Sequence, residues 1–116
     1  MLEVCIDSLE SALAAQEGGA ERLELCAALI IGGLSPSPAL YSALVRHGVT
    51  VPVRAMVRPR FGDFLYSDDE KAVMLDETRA WKSAGVSGVV TGALMPDGRL
   101  DAEFLSAFLA ASPGLG

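Results

Sequence analysis

The sequence of 116 residues is poor in basic residues, cysteine and histidine, and it contains no long apolar run. Nine Lys plus Arg stand against fifteen Asp plus Glu, and the net charge of −6 excludes a general affinity for nucleic-acid phosphates and disfavours anionic membrane surfaces. Gly, Ser or a charged residue interrupts each apolar stretch well before the roughly 20 residues that a membrane-spanning helix needs. These deficits predict a globular protein without nucleic-acid or membrane partners.

The N-terminal segment and the cysteines indicate a compartment. Acidic residues stand at Glu3 and Asp7, and the basic start and apolar run of a signal peptide are lacking, so we expect a cytoplasmic protein. In a reducing compartment Cys5 and Cys26 are expected as free thiols rather than as a structural disulfide. The single histidine, His47, falls at a predicted helix end, which disfavours a four-ligand zinc site.

Short apolar runs alternate four times with segments of helical periodicity. The pattern predicts strands at 2–6, 23–27, 51–57 and 88–92, and helices at 7–16, 35–47, 67–84 and 101–111. Capping residues mark the predicted helix starts: Asp7 with Glu10, Ser35 with Pro36, Ser67 with Glu70, and Asp101. The sequence therefore predicts four βα units.

Alternating strands and helices specify an α/β fold, because a parallel strand pair needs a long crossover connection. Four units fit either an open sheet with helices on both faces or the first four βα units of a TIM (β/α)8-type barrel. Along the predicted strands apolar and polar residues alternate. A barrel interior tolerates such polar residues better than a sheet that is covered by helices on both faces, so the alternation favours the barrel.

One face of the predicted sheet collects groups that are capable of chemistry. A Glu-x-Cys motif recurs at Glu3–Cys5 and Glu24–Cys26, and Arg54, Met56 and Arg58 alternate along the third strand. If the first two strands pair in register, the two thiols lie about one strand spacing apart, roughly 5 Å. Three interpretations of the thiols stay open: apolar filling of the strands, a Cu(I) site built from soft sulfur ligands, and redox chemistry.

The loop after the third predicted strand is a second candidate site. Arg58 and Arg60 carry planar guanidinium groups that suit a carboxylate or phosphate, and Asp63 is placed to fix one of them. On this interpretation the protein is an enzyme for a small anionic substrate, with an acid such as Glu24 as proton carrier. The alternative is that Arg58 pairs with Glu24 or Glu3 inside the sheet.

Several motifs of the sequence resemble one known family. In chain order they are Glu3-Val4-Cys5-Ile6-Asp7-Ser8, Glu24-Leu25-Cys26, Gly32-Gly33-Leu34-Ser35-Pro36-Ser37, Arg58-Pro59-Arg60 through Asp63-Phe64, and Tyr66-Ser67-Asp68. Together they resemble the CutC copper homeostasis family over most of the chain. Two positions depart from the family pattern: Ile31 stands where Glu is usual, and Phe61 stands where Gly is usual.

The resemblance implies a cytoplasmic TIM-type barrel linked with copper handling, and residues 1–116 would form its N-terminal half as a single domain. It carries over Cys5 and Cys26 as candidate copper ligands. We add Met56, from the third predicted strand, as a candidate third ligand. The resemblance assigns no catalytic residue, so the enzyme for a small anion and a non-functional truncated remnant stay as alternatives. Four strands without the rest of a barrel leave two open edges and an uncovered inner face, which predicts a homo-oligomer.

Overall fold

Four β-strands alternate with four α-helices in the computed structural model of the protein, which describes residues 1–116. In chain order the elements are β1 (Glu3–Ile6), α1 (Leu9–Glu17), β2 (Arg22–Leu25), α2 (Pro38–Arg46), β3 (Val53–Met56), α3 (Asp68–Ala84), β4 (Gly88–Val90) and α4 (Ala102–Ala111). A short 3₁₀ helix, Leu29–Ile31, lies between β2 and α2 and is not indicated by the sequence pattern. The four predicted βα units are confirmed, although each strand is shorter than predicted.

The strands form one parallel sheet in the order β1-β2-β3-β4. Each strand therefore lies beside its neighbour in sequence, as consecutive strands of a barrel do, whereas a doubly wound open sheet reverses its strand order at a switch point. The register places Cys5 beside Glu24, and Glu24 beside Arg54. The chain has an α/β fold with the strand order of half a TIM-type barrel.

The two faces of the sheet differ in composition, as the alternation along the strands predicts. One face packs against the helices and is apolar, with Ile6, Leu23, Leu25, Val53, Ala55 and Val57 buried in the core. The other face carries polar and sulfur-containing side chains, with Glu3, Cys5, Arg22, Glu24, Arg54 and Met56 alternating with the buried residues. Burial of a full Leu side chain stabilises the fold by about 1.5–3 kcal/mol, so this alternation fixes which face the helices cover.

The helices contribute large side chains to the same core. Trp81 of α3 and Phe104 and Phe108 of α4 are buried. Trp81 meets Tyr41 of α2 edge to face, with ring centroids 6.0 Å apart. None of the four helices combines the length and the apolar composition that crossing a bilayer requires.

The helix starts show how local polar groups set the element boundaries. Ser67 and Glu70 form the predicted capping box of α3, and Asp101 caps α4 by accepting a bond from the N–H of Phe104 at 3.1 Å. The predicted cap of α1 by Asp7 is wrong: Ser8 caps this helix, since its hydroxyl accepts from the N–H of Ser11.

The predicted start of α2 at Ser35 and Pro36 is also wrong. Ser37 caps the helix and Pro38 is its first residue, so the same Ser-Pro pattern acts two residues later. The Ser35 hydroxyl is engaged elsewhere, because it accepts a hydrogen bond of 2.8 Å from the backbone N–H of Arg58. This bond ties the loop before α2 to the end of β3.

The edge of β4 is met by the end of the chain. The N–H of Gly116 donates to the carbonyl of Ser87 at 3.1 Å, and its carbonyl accepts from the N–H of Val89 at 3.0 Å. Two bonds to residues on either side of one partner are the pattern of a parallel ladder. Gly116 therefore pairs with β4 on the side away from β3.

Candidate functional site

The polar face of β1 and β2 brings two thiols to one carboxylate. The Cys5 thiol donates to Oε2 of Glu24 at 3.4 Å, and the Cys26 thiol lies 3.9 Å from Oε1 of the same residue. Cys26 Sγ is also 3.7 Å from the backbone carbonyl of Glu24. Both cysteines are free, with Cys5 exposed and Cys26 buried. Glu24 thus lies between the two sulfur atoms.

The register of β1 and β2 corrects the expected spacing of the thiols. Cys5 pairs with Glu24 rather than with Cys26, because the apolar residues Val4 and Ile6 pair with Leu23 and Leu25 on the core face. Cys26 is therefore displaced by two residues along the sheet, which standard strand dimensions convert to about 8 Å between the Cα atoms. The prediction of directly neighbouring thiols is wrong, and this separation exceeds the usual Cα distance of a disulfide.

The surroundings of the thiols keep them protonated. Burial, reinforced by the negative charge of Glu24, raises the pKa of Cys26 from 9.0 to about 12. The pKa of Cys5 is raised in the same direction, first by the partial desolvation of its otherwise exposed side chain and then by Glu24. Since the thiolate is the form that reacts and binds metals, both cysteines have low intrinsic reactivity in the free protein.

Met56, the last residue of β3, lies next to the two thiols. A methyl group at Gly33 would lie 2.9 Å from Sδ of Met56 and 3.6 Å from Cβ of Cys26. Gly33 has a φ of +93°, and both side chains pack against its bare backbone. The structure therefore brings Cys5, Cys26 and Met56 to one region of the polar face.

Arg58, at the end of β3, is held by backbone carbonyls rather than by an acid. Its Nη1 donates to the carbonyls of Gly33 at 3.0 Å and Ile31 at 3.4 Å, and its Nη2 donates to the carbonyl of Gly62 at 2.9 Å. The guanidinium also stacks on Phe64, 5.1 Å from the ring centroid. The alternative pairing of Arg58 with Glu24 or Glu3 is not found.

Glu3 is the acidic residue of the first Glu-x-Cys motif, as Glu24 is of the second, and it has a different partner. Glu3 forms an ion pair with Arg22 of β2, across the first pair of strands. Arg22 was not among the predicted site residues. The position of Arg22 follows directly from the strand register, which places Arg22 opposite Glu3.

Arg60 and Asp63, the other predicted anion-binding residues, lie in a neighbouring cluster, in which the Arg60 guanidinium lies over the Tyr66 ring, 5.0 Å from its centroid. Arg60 pairs with Glu70 of α3 and with Asp63 at 3.1 Å, and it also donates to the carbonyl of Leu65 at 2.8 Å. Hydrogen bonds to Glu70 and Asp63 raise the pKa of Arg60, and the bond from Arg60 lowers the pKa of Glu70. The structure does not bring Arg60 together with Arg58 around one anion.

Two further polar groups near Arg58 escaped the sequence analysis. Tyr66 is buried and its hydroxyl has no hydrogen-bond partner, and Thr91 follows β4 with its hydroxyl donating to the carbonyl of Val57 at 2.9 Å. Both residues line a cleft together with Arg58. The motif Tyr66-Ser67-Asp68 marks the position in the sequence, but no periodicity indicates that this ring turns inward.

The structure holds no preassembled metal site, and Cys5, Glu24 and Cys26 do not form one either. No group of three or more His, Cys, Asp or Glu side chains is arranged to hold a metal ion. His47 ends α2 and is exposed, away from the thiols. The candidate ligands Cys5, Cys26 and Met56 lie near one another on the polar face, but their side chains are not arranged around a common point.

Comparisons with known proteins agree with this description. The CutC family profile matches residues 1–116. A CutC family protein of Photobacterium profundum is 47% identical over 115 residues, which cover 99% of this chain and 46% of that protein. The human copper homeostasis protein cutC homolog is 47% identical over 110 residues, which cover 95% of this chain and 40% of that protein. The chain thus spans about half the length of the curated relatives it matches.

Solved structures give the same result for the fold. A protein from Streptococcus agalactiae that is assigned as the copper homeostasis protein CutC superposes with a TM-score of 0.88 at 28% identity, over 99% of this chain and 56% of that one. A protein from Burkholderia cenocepacia that is assigned as a phosphonomutase superposes with a TM-score of 0.61 at 20% identity, which shows a shared fold only. With its family profile matched from end to end, the chain belongs to the CutC family.

Proposed function

We propose that the protein serves copper homeostasis by binding Cu(I) through the thiolates of Cys5 and Cys26, with the thioether of Met56 as third ligand. The observation that carries the proposal is the placement of one carboxylate, that of Glu24, within 3.4 Å of one thiol and 3.9 Å of the other. Thiolate and thioether ligands select Cu(I), which accepts two or three of them. Copper is the cargo here, so no catalytic step is required of the site.

Glu24 has a defined part in this proposal. A thiol must lose its proton before it binds a metal, and both thiols have a raised pKa in the free protein. The Glu24 carboxylate already accepts the Cys5 thiol proton in a hydrogen bond, so it offers a route for that proton as the metal approaches. The proton of the second thiol passes to solvent, and the two thiolates by themselves more than balance the single positive charge of a bound Cu(I).

The names of the relatives support a role in copper homeostasis, since the human and mouse proteins are both called copper homeostasis protein cutC homologs. The finer statement, that these three residues are the ligands and that the protein works in the cytoplasm, is ours. It is supported by the soft donor set on one face of the sheet and by the free state of both cysteines.

Competition for Cu(I) against a colorimetric chelator tests the ligand set on the reduced protein. We expect the tight site to be lost in Cys5→Ser and in Cys26→Ser, and to be weakened in Met56→Leu. Met95→Leu is the matched control, because Met95 is exposed in the loop after β4. Equal affinity in the wild type and in both cysteine variants, with circular dichroism confirming that each is folded, would refute the proposal.

A further inference from the structure

A cleft of about 310 Å³ lies at the carboxyl ends of β3 and β4, beside the thiol cluster. Of the three proposed copper ligands only Met56 lines it. No Asp or Glu belongs to its lining, although the chain has fifteen acidic residues and a net charge of −6. The volume is at the small end of the range for ligand sites. The cleft is thus a local exception to the acidic character of the protein.

Arg58 supplies an uncompensated positive charge to the cleft. Its three hydrogen-bond acceptors are neutral carbonyls, and no acidic side chain forms an ion pair with it. Nε is buried and has no hydrogen-bond partner, and Nη2 uses one of its two hydrogens for the carbonyl of Gly62. The stacked Phe64 ring restrains the guanidinium plane. Two adjacent nitrogen atoms therefore keep donors for a further acceptor.

Other donors in the cleft are also unmatched. The Tyr66 hydroxyl is buried and makes no hydrogen bond of normal geometry, although the neighbouring Arg58 guanidinium opposes the rise that burial causes in its pKa. The backbone N–H groups of Thr91 and Gly92 donate no hydrogen bond within the chain. A buried polar group left without a partner costs about 1–3 kcal/mol. A hydrogen-bond acceptor placed beside Arg58 and Tyr66 would remove part of this cost. The lining of the cleft contains no carboxylate that would repel an anion.

We propose that this cleft binds a small monocarboxylate whose apolar body lies against Met56 and Phe64. One unpaired guanidinium balances one negative charge, and its planar donors match the two oxygens of a carboxylate. Arg60, the next cation along the loop, is neutralised by Glu70 and Asp63, so the second positive charge that a phosphate dianion would require is missing. An apolar body is favoured over a sugar, because four of the nine lining residues carry wholly apolar side chains: Met56, Val57, Phe64 and Val90.

Benzoate is a suitable probe, with benzamide as its neutral isostere and inorganic phosphate as the competing anion. In a titration of the ¹⁵N-labelled chain we expect benzoate to shift the amide signals of Thr91 and Gly92 with a millimolar or tighter Kd. We expect benzamide and phosphate to bind at least about tenfold more weakly, which corresponds to the loss of one charge-assisted contact. Equal binding of benzoate and benzamide would overturn the proposal, and tighter binding of phosphate would overturn the carboxylate assignment.

Variants separate this site from the copper site. Tyr66→Phe removes only the unpartnered hydroxyl, so it should fold like the wild type while binding benzoate at least about fivefold more weakly. Tyr41→Phe is the matched control, because Tyr41 packs against Trp81 away from the cleft. Cys5→Ser should leave benzoate binding unchanged. Unaltered benzoate affinity in Tyr66→Phe, or equal losses in both tyrosine variants, would contradict the assignment.

Discussion

Replacement of Gly33 by alanine tests the packing that holds Met56 beside Cys26. At a φ of +93° an alanine is strained by about 1–2 kcal/mol, whatever its neighbours are. Its methyl group would also lie 2.9 Å from Sδ and 3.0 Å from Cε of Met56, so the Met56 side chain must leave its position. Sδ and Cε belong to the flexible end of the side chain, so a change of rotamer that costs at most about 1 kcal/mol relieves the contact.

Gly48→Ala is the matched control for this experiment. Gly48 has a φ of +91°, close to that of Gly33, and a methyl group there would meet no atom within 4 Å. The control therefore measures the backbone strain alone. We expect Gly33→Ala to lower the free energy of unfolding by up to about 1 kcal/mol more than Gly48→Ala, which is at most about 4 °C in the melting temperature of a domain of this size.

Urea denaturation of Gly33→Ala, Met56→Ala and the double variant completes the test. If the methyl group and Met56 collide, the double variant is more stable than the sum of the single effects predicts, by a coupling energy of up to about 1 kcal/mol. A coupling energy of zero, with equal destabilisation in Gly33→Ala and Gly48→Ala, would refute the contact. Gly33→Ala should also weaken Cu(I) binding, since it displaces Met56, the third proposed ligand.

Two further predictions follow from the thiol cluster. Because the folded-state pKa of Cys26 is about 12 against an ordinary 9.0, its protonated form stabilises the fold fully below pH 9. We expect this contribution to fall by up to about 1.4 kcal/mol per pH unit between pH 9 and 12, so urea denaturation of Cys26→Ser should show a shallower alkaline loss than that of the wild type. Since the charge of Glu24 raises the pKa of Cys5, Glu24→Gln should speed alkylation of Cys5 at pH 8, followed by mass spectrometry, whereas Glu10→Gln on the exposed face of α1 should not. An unchanged rate of Cys5 alkylation in Glu24→Gln would contradict the role of the Glu24 charge. Identical losses of stability at alkaline pH in the wild type and Cys26→Ser would contradict the raised pKa of Cys26.

The fold follows from the sequence because its signals are local and repeat. Alternation along each strand indicates which face is buried, and the Ser67–Glu70 capping box fixes the start of α3 from four consecutive residues. The start of α2 was predicted two residues too early for a physical reason. Ser35 and Ser37 are both followed by proline, and the hydroxyl of Ser35 is taken by a hydrogen bond from Arg58 in a distant segment. Local patterns cannot distinguish two equivalent caps.

The candidate site was predicted in its composition but not in its geometry. Alternation places both cysteines on the polar face, yet the strand register depends on how the core residues of two strands fit together, and it puts Glu24 between the thiols. Likewise Arg58 and Arg60 look equivalent in sequence, while Glu70 of a later helix neutralises only Arg60. The unpartnered hydroxyl of Tyr66 results from tertiary packing and has no signature in the sequence.

The polar face of the sheet has a consequence for association in solution. It carries the Glu3–Arg22 ion pair and, in the next layer, Glu24 beside Arg54, so opposite charges alternate where an uncovered sheet would otherwise expose aliphatic side chains. Such a surface remains hydrated. Any molecule that covers it, including a second copy of the chain, must replace bound water with matching charges. The affinity of such a molecule for the polar face would then fall as the salt concentration rises, because the screening length of these charges shortens to about 10 Å at 0.1 M ionic strength.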